Sequence, residues 1–269
     1  MIKKLGVCGC SWSSEDVAPL EATGYGTYVT QLLDIPEYKN YGRPSSSNYV
    51  IRMQVEQAIK DGCDFIIVAW TNVERVEWIT PSLDYFIPDK GLQNVSYESE
   101  TNDILHNKNV LYHPCGEDGV RVTFSESLSS MQLEKSYDEL VENNPAIPQI
   151  LTRKQFESWQ LFYMHNYDMG MEELRQYYLI ESAVCSLQRN KVKFLMIPGW
   201  KRFDDKDSIF AKWPIIPKKN IVIDHPVDLY NKRKQADPDF ESQYVHHLMP
   251  ADEILYAKQY LIPRINKLI

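Results

Sequence analysis

The stretch Leu5-Gly6-Val7-Cys8-Gly9-Cys10-Ser11-Trp12-Ser13 holds the first residue able to do chemistry. A short apolar run ends at Gly9, and Ser11 follows two residues later. A buried strand that stops at a small-residue turn presents its next side chain at the carboxyl edge of a sheet, where ligands bind in open α/β folds. A serine hydroxyl there has room for a substrate and lies near backbone N–H groups able to hold an oxyanion. The chemistry would be attack on an acyl carbon, once a base takes the serine proton. The same pattern also makes a plain turn, so other segments must decide between the two readings.

Three further blocks are positioned to meet it. Asn40-Tyr41-Gly42-Arg43-Pro44-Ser45-Ser46-Ser47-Asn48 is a small-residue loop between a short strand and a helix. Ala69-Trp70-Thr71-Asn72 closes a buried apolar run, and His246-His247-Leu248-Met249-Pro250 precedes the last helix. Each block falls at a strand end or a helix start, which places all four on one rim of a parallel sheet.

The elements that must hold these blocks alternate along the chain. Lys3–Cys8 reads as a first strand, Gly24–Leu33 as a first helix and Tyr38–Tyr41 as a short second strand. Asn48–Asp61 sets Val50, Ile51, Val55, Ala58 and Ile59 at helical spacing, with Gly62 as its stop. Asp64–Trp70 is a continuous apolar run suited to a strand buried on both faces. Thr152 caps a helix that runs to about His165, and Gly170 breaks it. Met171–Arg189 then repeats Leu174, Tyr177, Tyr178, Ala183, Val184 and Leu187 in an amphipathic pattern. Lys193–Ile197 is another buried strand and Asn220–Ile223 a last one. Pro250–Ile265 is a terminal helix packing Ile254, Leu255, Ala257, Tyr260 and Leu261.

Strands separated by helices of this length imply a parallel sheet with helices on both faces. The stretch from Thr80 to Leu151 breaks that rhythm, being polar and rich in Asn, Ser, Glu and Tyr. It reads as an insertion, residues 80–151, of loops with a short hairpin around Val110–Phe124. Such an insertion is either a lid or substrate wall or a decorated surface. Residues 1–269 otherwise read as a single domain.

Composition narrows the partners. The net charge of −8, with no basic cluster or Arg-rich stripe, argues against nucleic acid. The longest apolar runs, such as Phe65–Trp70, are far too short to span a bilayer, so no membrane association is expected. Met1-Ile2-Lys3-Lys4-Leu5 leads straight into Gly9 and Ser11 and reads as strand, not signal peptide. The five cysteines are odd in number and form no CxxC pair, which favours a reduced compartment and a cytoplasmic location. The six histidines show no metal-ligand spacing beyond the adjacent pair His246-His247, so no metal is expected. Neither GxGxxG nor GxxxxGK[ST] occurs, and no cofactor is expected.

The four ordered blocks resemble those of the SGNH, or GDSL-like, serine hydrolases, and the likeness runs the length of the chain apart from the insertion. The resemblance implies a three-layer α/β/α sandwich around a five-stranded, mostly parallel, flavodoxin-like sheet. It implies Ser11 as nucleophile, a backbone N–H donor at Ser45, Asn72 as the oxyanion-hole amide and His247 as base, with His246 the alternative. A histidine near neutral pH can take the serine proton if its ring reaches the hydroxyl. Losing one oxyanion donor typically costs about a hundredfold in rate. The implied reaction is cleavage of a carboxylic ester, for example an O-acetyl group on a carbohydrate or another small-molecule ester.

The chain departs from the family pattern at three places. Cys10 stands at the aspartate before the nucleophile, and Ser45 stands at the second-block glycine. Tyr244, or Gln243 if His246 is the base, stands at the acid that orients the histidine. Asp237 and Asp239 are the nearest upstream carboxylates to take that role, and a backbone carbonyl would leave a Ser-His dyad.

Bland roles compete at each position. Asn72 also suits a turn cap, and Glu74, Arg75 and Glu77 either line a substrate pocket or form an ion-pair cluster. Trp12, Trp70 and Trp78 either stack on a sugar or pack into the core. Three functions remain open: an esterase, a catalytically silent SGNH-like domain that binds a glycan or a protein, and an assembly component whose Tyr-rich insertion is an interface.

Overall fold

The first three strands, the run Lys193–Ile197 and the helices between them fold as the pattern predicts, with element ends shifted by a residue or two. The computed structural model describes residues 1–10, 12–13, 24–43, 46–71, 76–79, 85–88, 109–114, 119–128, 133–143, 148, 151–199, 209–212, 214–222, 226–236 and 250–269. The chain begins β1 (Lys4–Cys8), α1 (Gly24–Leu32), β2 (Glu37–Asn40), α2 (Asn48–Lys60), β3 (Phe65–Ala69). Next come β4 (Val76–Ile79), β5 (Tyr85–Pro88), β6 (Asn109–Pro114) and β7 (Gly119–Leu128), followed by α3 (Tyr137–Asn143), α4 (Arg153–Asn166) and α5 (Met169–Arg189). β8 (Lys193–Ile197) leads to α6 (Ile209–Lys212), α7 (Pro226–Ala236), α8 (Pro250–Tyr256) and α9 (Ile262–Ile265).

Among the described residues the central sheet has four strands in the order β2-β1-β3-β8. All its pairings are parallel, with Val7 opposite Asn40 on one side and Ile67 on the other, and Val68 opposite Met196. Every residue of β3 is buried, because helices cover both faces. On one face Leu5, Val7, Phe65, Ile67, Leu195 and Ile197 pack with Tyr25 and Val29 of α1 and with Tyr256, Leu261 and Ile265 of the last helix. On the other, Cys8, Ile66, Val68, Phe194 and Met196 pack with Ile51, Val55 and Ala58 of α2 and with Ile180, Ala183, Val184 and Leu187 of α5. Each fully buried Leu, Ile or Phe contributes about 1.5–3 kcal/mol relative to exposure, so these two layers are the main source of stability. The arrangement is an α/β fold consistent with a three-layer sandwich.

Of the expected fifth strand at Asn220–Ile223, the described residues make one parallel bridge, Met196 with Ile221, and Ile223 lies outside them. A 3-10 turn over Lys218–Asn220 feeds it, and the Asn220 side chain donates to the Phe194 carbonyl at 2.6 Å. The chain is therefore still turning where a ladder would begin. A second sheet, antiparallel throughout, is built on β7, which pairs with β4, β5 and β6. β6 and β7 pair across the stretch read as a hairpin, with Val110 opposite Phe124. β5 replaces expected loop, and the Val120, Val122, Phe124 alternation in β7 has the two-residue period a strand requires. No helix among the described residues is long and apolar enough to cross a membrane.

Two helix boundaries differ from expectation. Thr152 caps α4 with a reciprocal capping box to Gln155, as its sequence suggests. The break before α5 falls at Tyr167-Asp168, where Asp168 accepts the Met171 N–H at 2.7 Å, and Gly170 lies inside the first turn. The terminal helix is interrupted by a π-helical turn over Ala257–Leu261, in which the Ile262 N–H reaches back to Ala257. Pro263, which has no N–H to donate, follows at once. Leu255 is exposed at 37% and is not a packing residue, whereas Tyr256 is fully buried.

Candidate functional site

Adjacent strands β1 and β3 lead to helices on opposite faces of the sheet, so the strand order reverses at β1. In doubly wound sheets the ligand crevice opens at the carboxyl edge at such a point. The segments leaving β1, β2 and β3 meet here. The Tyr41 N–H donates to the Val7 carbonyl at 2.7 Å and the Arg43 N–H to the Gly9 carbonyl at 3.1 Å, which carries the β2 exit across the end of β1. The Asn40 side chain donates to the Ser13 carbonyl at 2.6 Å and accepts the Gly42 N–H at 2.8 Å.

Gln54 provides the deepest link. It sits in the apolar stripe of α2, between Ile51 and Ala58, and is only 8% exposed. Its Oε1 accepts the Gly9 N–H at 2.7 Å and its Nε2 donates to Ser46 Oγ at 3.1 Å. Ser46 Oγ in turn donates to the Arg43 carbonyl at 2.9 Å. One buried side chain thus holds the β1 exit against the loop before α2. Asn48, the first residue of α2, performs the matching task for β3. Its Oδ1 accepts the Thr71 N–H at 2.7 Å and its Nδ2 donates to the Thr71 carbonyl at 3.0 Å. Ser47 caps the same helix by accepting the Val50 N–H at 3.2 Å.

Space is as restricted as the bonding. A Cβ at Gly9 would lie 2.3 Å from Ser13 Oγ and 3.1 Å from the Ala69 carbonyl. The β1 exit therefore requires glycine because backbone and side chain approach it closely. Ser13 Oγ shares a hydrogen bond of 2.6 Å with the Tyr25 hydroxyl. Burial pushes the Tyr25 phenol far above its ordinary range, more than the Ser13 contact lowers it. Burial also drives the Cys8 thiol well up, so Cys8 stays protonated and is no rival nucleophile. At the head of α8, Asp252 and Glu253 are buried, and Asp252 accepts from the Arg233 guanidinium.

These contacts assign the backbone donors of the rim. The N–H groups of Gly9, Gly42, Arg43 and Thr71 are all engaged within the protein. They are closed to an oxyanion. Ser11, Ser45, Asn72, Arg75, Asp237, Asp239, His246 and His247 lie outside the described residues. Of the tryptophans considered for substrate stacking, Trp70 is a correction: it is 1% exposed and packs in the α2–α5 core, with no face to offer. Trp12 is half-buried against the opposite core. Among the described residues no three His, Cys, Asp or Glu side chains are grouped to hold a metal ion.

Sequence reasoning missed Gln54 and Tyr25. Gln54 carried a readable signal, a polar residue at helical spacing within the apolar positions Val50, Ile51, Val55 and Ala58. Tyr25 carried none, since an aromatic near a helix start suits any packed helix. No protein-family model matches this chain, and no curated protein matches it.

Proposed function

We propose that the protein is a serine hydrolase that cleaves a carboxylic ester through an acyl-enzyme on Ser11. His247 is the base, with His246 the alternative, and the oxyanion is held by the Ser11 and Ser45 N–H groups and the Asn72 amide. The observation that supports this reading is the hydrogen-bonded rim. Ser11, Ser45 and Asn72 are the chain neighbours of Cys10, Ser46 and Thr71, and the segments holding those three are tied by Gln54 and Asn48. Preorganised donors are what oxyanion stabilisation needs, because a donor that must reorganise loses most of its advantage. The proposal keeps a small-molecule or carbohydrate ester as substrate and residues 80–151 as an insertion.

A fluorophosphonate probe is expected to label the protein, and Ser11→Ala to abolish the labelling. Well-folded protein that takes no label would sink the hydrolase. The second reading, a silent domain that binds a glycan or protein, is favoured by one observation: the buried carboxylate of Asp252, following the histidine pair, is engaged by Arg233 and so is not free to orient a histidine. Absence of labelling together with ligand binding would establish it.

A further inference from the structure

α4 carries more apolar surface than its own packing needs. An amphipathic surface helix requires one apolar face. Phe156, Trp159 and Tyr163 supply it, packing with Leu133, Leu140 and Leu151. Leu161, Phe162 and Met164 are apolar as well, yet each is exposed. Tyr49 in the first turn of α2, with Met171 and Tyr178 of α5, is exposed too. Among the described residues these six are the majority of the ten exposed large apolar side chains, and Met1, Leu32, Leu255 and Ile269 lie on other elements. Tyr49, Phe162 and Met171 line one cavity of about 550 Å³ between α4, α5 and α2. Leu161 and Met164 stand beside Phe162 on α4, and Tyr178 stands two turns from Met171 on α5, so the six flank one groove.

We propose that this face pairs with the same face of a second copy of the chain, in a two-fold dimer. Area is the first reason. The six side chains are 38% to 65% exposed, and at about 200 Å² for a fully exposed residue of this size they leave about 600 Å² uncovered. The largest apolar patch of a monomer is usually about 300–600 Å², so this one stands at the top of that range. Two copies would bury about 1,200 Å² from these residues alone, the area at which specific stable interfaces begin.

Composition and charge point to a protein partner. Tyr, Trp, Phe, Met and Arg are the types enriched at interface cores, where other charges are depleted. The groove presents Tyr49, Trp159, Phe162 and Met171, with Arg175 at its edge, and Leu161 to Asn166 include no Lys, Arg, Asp or Glu. A bilayer surface would call for Lys and Arg around the apolar face, whereas this groove holds Asp168 and Glu172. Both acids are already engaged. Asp168 accepts the Met171 N–H at 2.7 Å, and Glu172 accepts from Gln176 at 2.6 Å and lies 3.4 Å from the Arg175 guanidinium. Copies of a chain with net charge −8 therefore meet here with little like-charge repulsion from the groove. Shape points to a second copy. A two-fold interface sets one patch against itself. This patch holds both halves of such a fit, a groove and beside it the ridge of Leu161 and Met164, three residues apart on α4. The wall from α5 is fixed before association, since Arg52 and Glu56 of α2 bond to Ser182 and Ser186 of α5 at 2.8 and 2.6 Å. The pairing does not depend on the hydrolase reading.

The test is sedimentation of the full chain from about 1 to about 100 μM, since interfaces at the small end of the range associate in the micromolar region. A species of twice the chain mass is expected to grow with concentration. Met164→Lys and Met171→Glu each place a charge at an exposed position, with the sign that suits the nearer helix end. The fold should stay intact by circular dichroism, and the dissociation constant should rise about tenfold or more. Leu32→Lys, on α1, should leave it unchanged. Hydrogen exchange of the parent at the two ends of the range needs no variant. Association should slow exchange within 159–179, and slowing only elsewhere overturns the proposal. So does a chain that stays monomeric throughout, an open series of larger species, or a dimer that neither charged variant weakens. For a monomer, flotation with anionic vesicles would give the face to a lipid surface instead.

Discussion

Replacing Gln54 tests the structural logic of the rim most directly. Gln54→Met keeps the volume and removes both hydrogen bonds, to the Gly9 N–H and to Ser46 Oγ. The Gly9 N–H is buried, and a buried donor left unsatisfied costs about 1–3 kcal/mol. The Ser46 hydroxyl keeps its bond to the Arg43 carbonyl, so its share is an ordinary net hydrogen bond of about 0.5–1.5 kcal/mol. Burying a thioether in place of an amide returns about 1 kcal/mol of transfer energy. The expected net loss is about 1–3 kcal/mol. Urea unfolding should show this as a lower midpoint with an unchanged slope. Ser46→Ala should cost less than Gln54→Met, and the double variant less than the sum, because both remove the same bond.

Gln54→Glu sharpens the test. A protonated glutamic acid has the shape of glutamine, with a carbonyl for Gly9 and an O–H for Ser46. Ionised, it loses the donor and leaves a charge in a site only 8% exposed. Burial raises the folded pKa above the ordinary value of about 4.3, so the folded state binds the proton more tightly than the unfolded chain. Stability relative to the parent is then fully recovered below about pH 4 and lost as the pH rises through the folded pKa. A Gln54→Met variant within about 0.5 kcal/mol of the parent, the usual range for a surface change, would refute the reasoning. So would a Gln54→Glu variant whose stability tracks the parent at every pH.

The remaining expectations bear on neighbouring contacts. Asn48→Ala removes both bonds to Thr71 and should cost about 2–4 kcal/mol in denaturant unfolding, two buried groups being orphaned at once. Gly9→Ala drives a Cβ into Ser13 and the Ala69 carbonyl, and overpacking of this kind costs about 1–3 kcal/mol. A melting temperature equal to the parent's would show that the turn is looser than its contacts imply. Asp61 is pushed up by burial, but Lys39, Tyr41 and Gln57 outweigh that and hold its carboxyl below the ordinary value of 3.8. Its stabilising contribution is present above that value and lost as the pH falls further, so acid unfolding of Asp61→Asn should begin less steeply than that of the parent. Iodoacetamide should modify exposed Cys185 rapidly while buried Cys8 and Cys63, their thiols held up by desolvation, react only on unfolding.

The central sheet was legible because burial on two faces leaves a plain mark, the unbroken apolar runs Phe65–Ala69 and Phe194–Ile197. The helices were legible from their stripes and from Thr152 as a cap. The end of the sheet was not, since Ile221 and Val222 look like strand and only the 3-10 turn at Lys218–Asn220, a tertiary outcome, limits them to one bridge. Trp70 was open to two readings because position at a strand end says nothing about which helices cover it. Of the four blocks expected on one rim, the described parts of the first three are joined by hydrogen bonds that no sequence pattern announces, and the histidine block lies outside the described residues. That Asn48 would clasp Thr71, 23 residues away, depends on how α2 lies across the sheet.

Where polarity is buried in this fold is itself an argument for a site. Ser13, Ser46, Ser47, Asn48, Gln54 and Thr71 are all buried, and all serve the carboxyl edge of β1, β2 and β3. The other buried polar side chains among the described residues are Asn220, Asp252 and Glu253. Buried polar groups cost free energy unless every partner is present, and an apolar core of equal volume is at least as stable. A sheet that needed only to cohere would gain little from Gln54 at an otherwise apolar helix position. What these bonds supply is a fixed direction for three chain segments that would otherwise leave the strands as independent loops. Fixing those segments matters most if the residues they carry must meet a substrate in one geometry, since a displacement of about 1 Å at a reacting group can cost a hundredfold in rate. The tightness around Gly9 is the kind of preorganisation that the chemistry proposed at Ser11 would require.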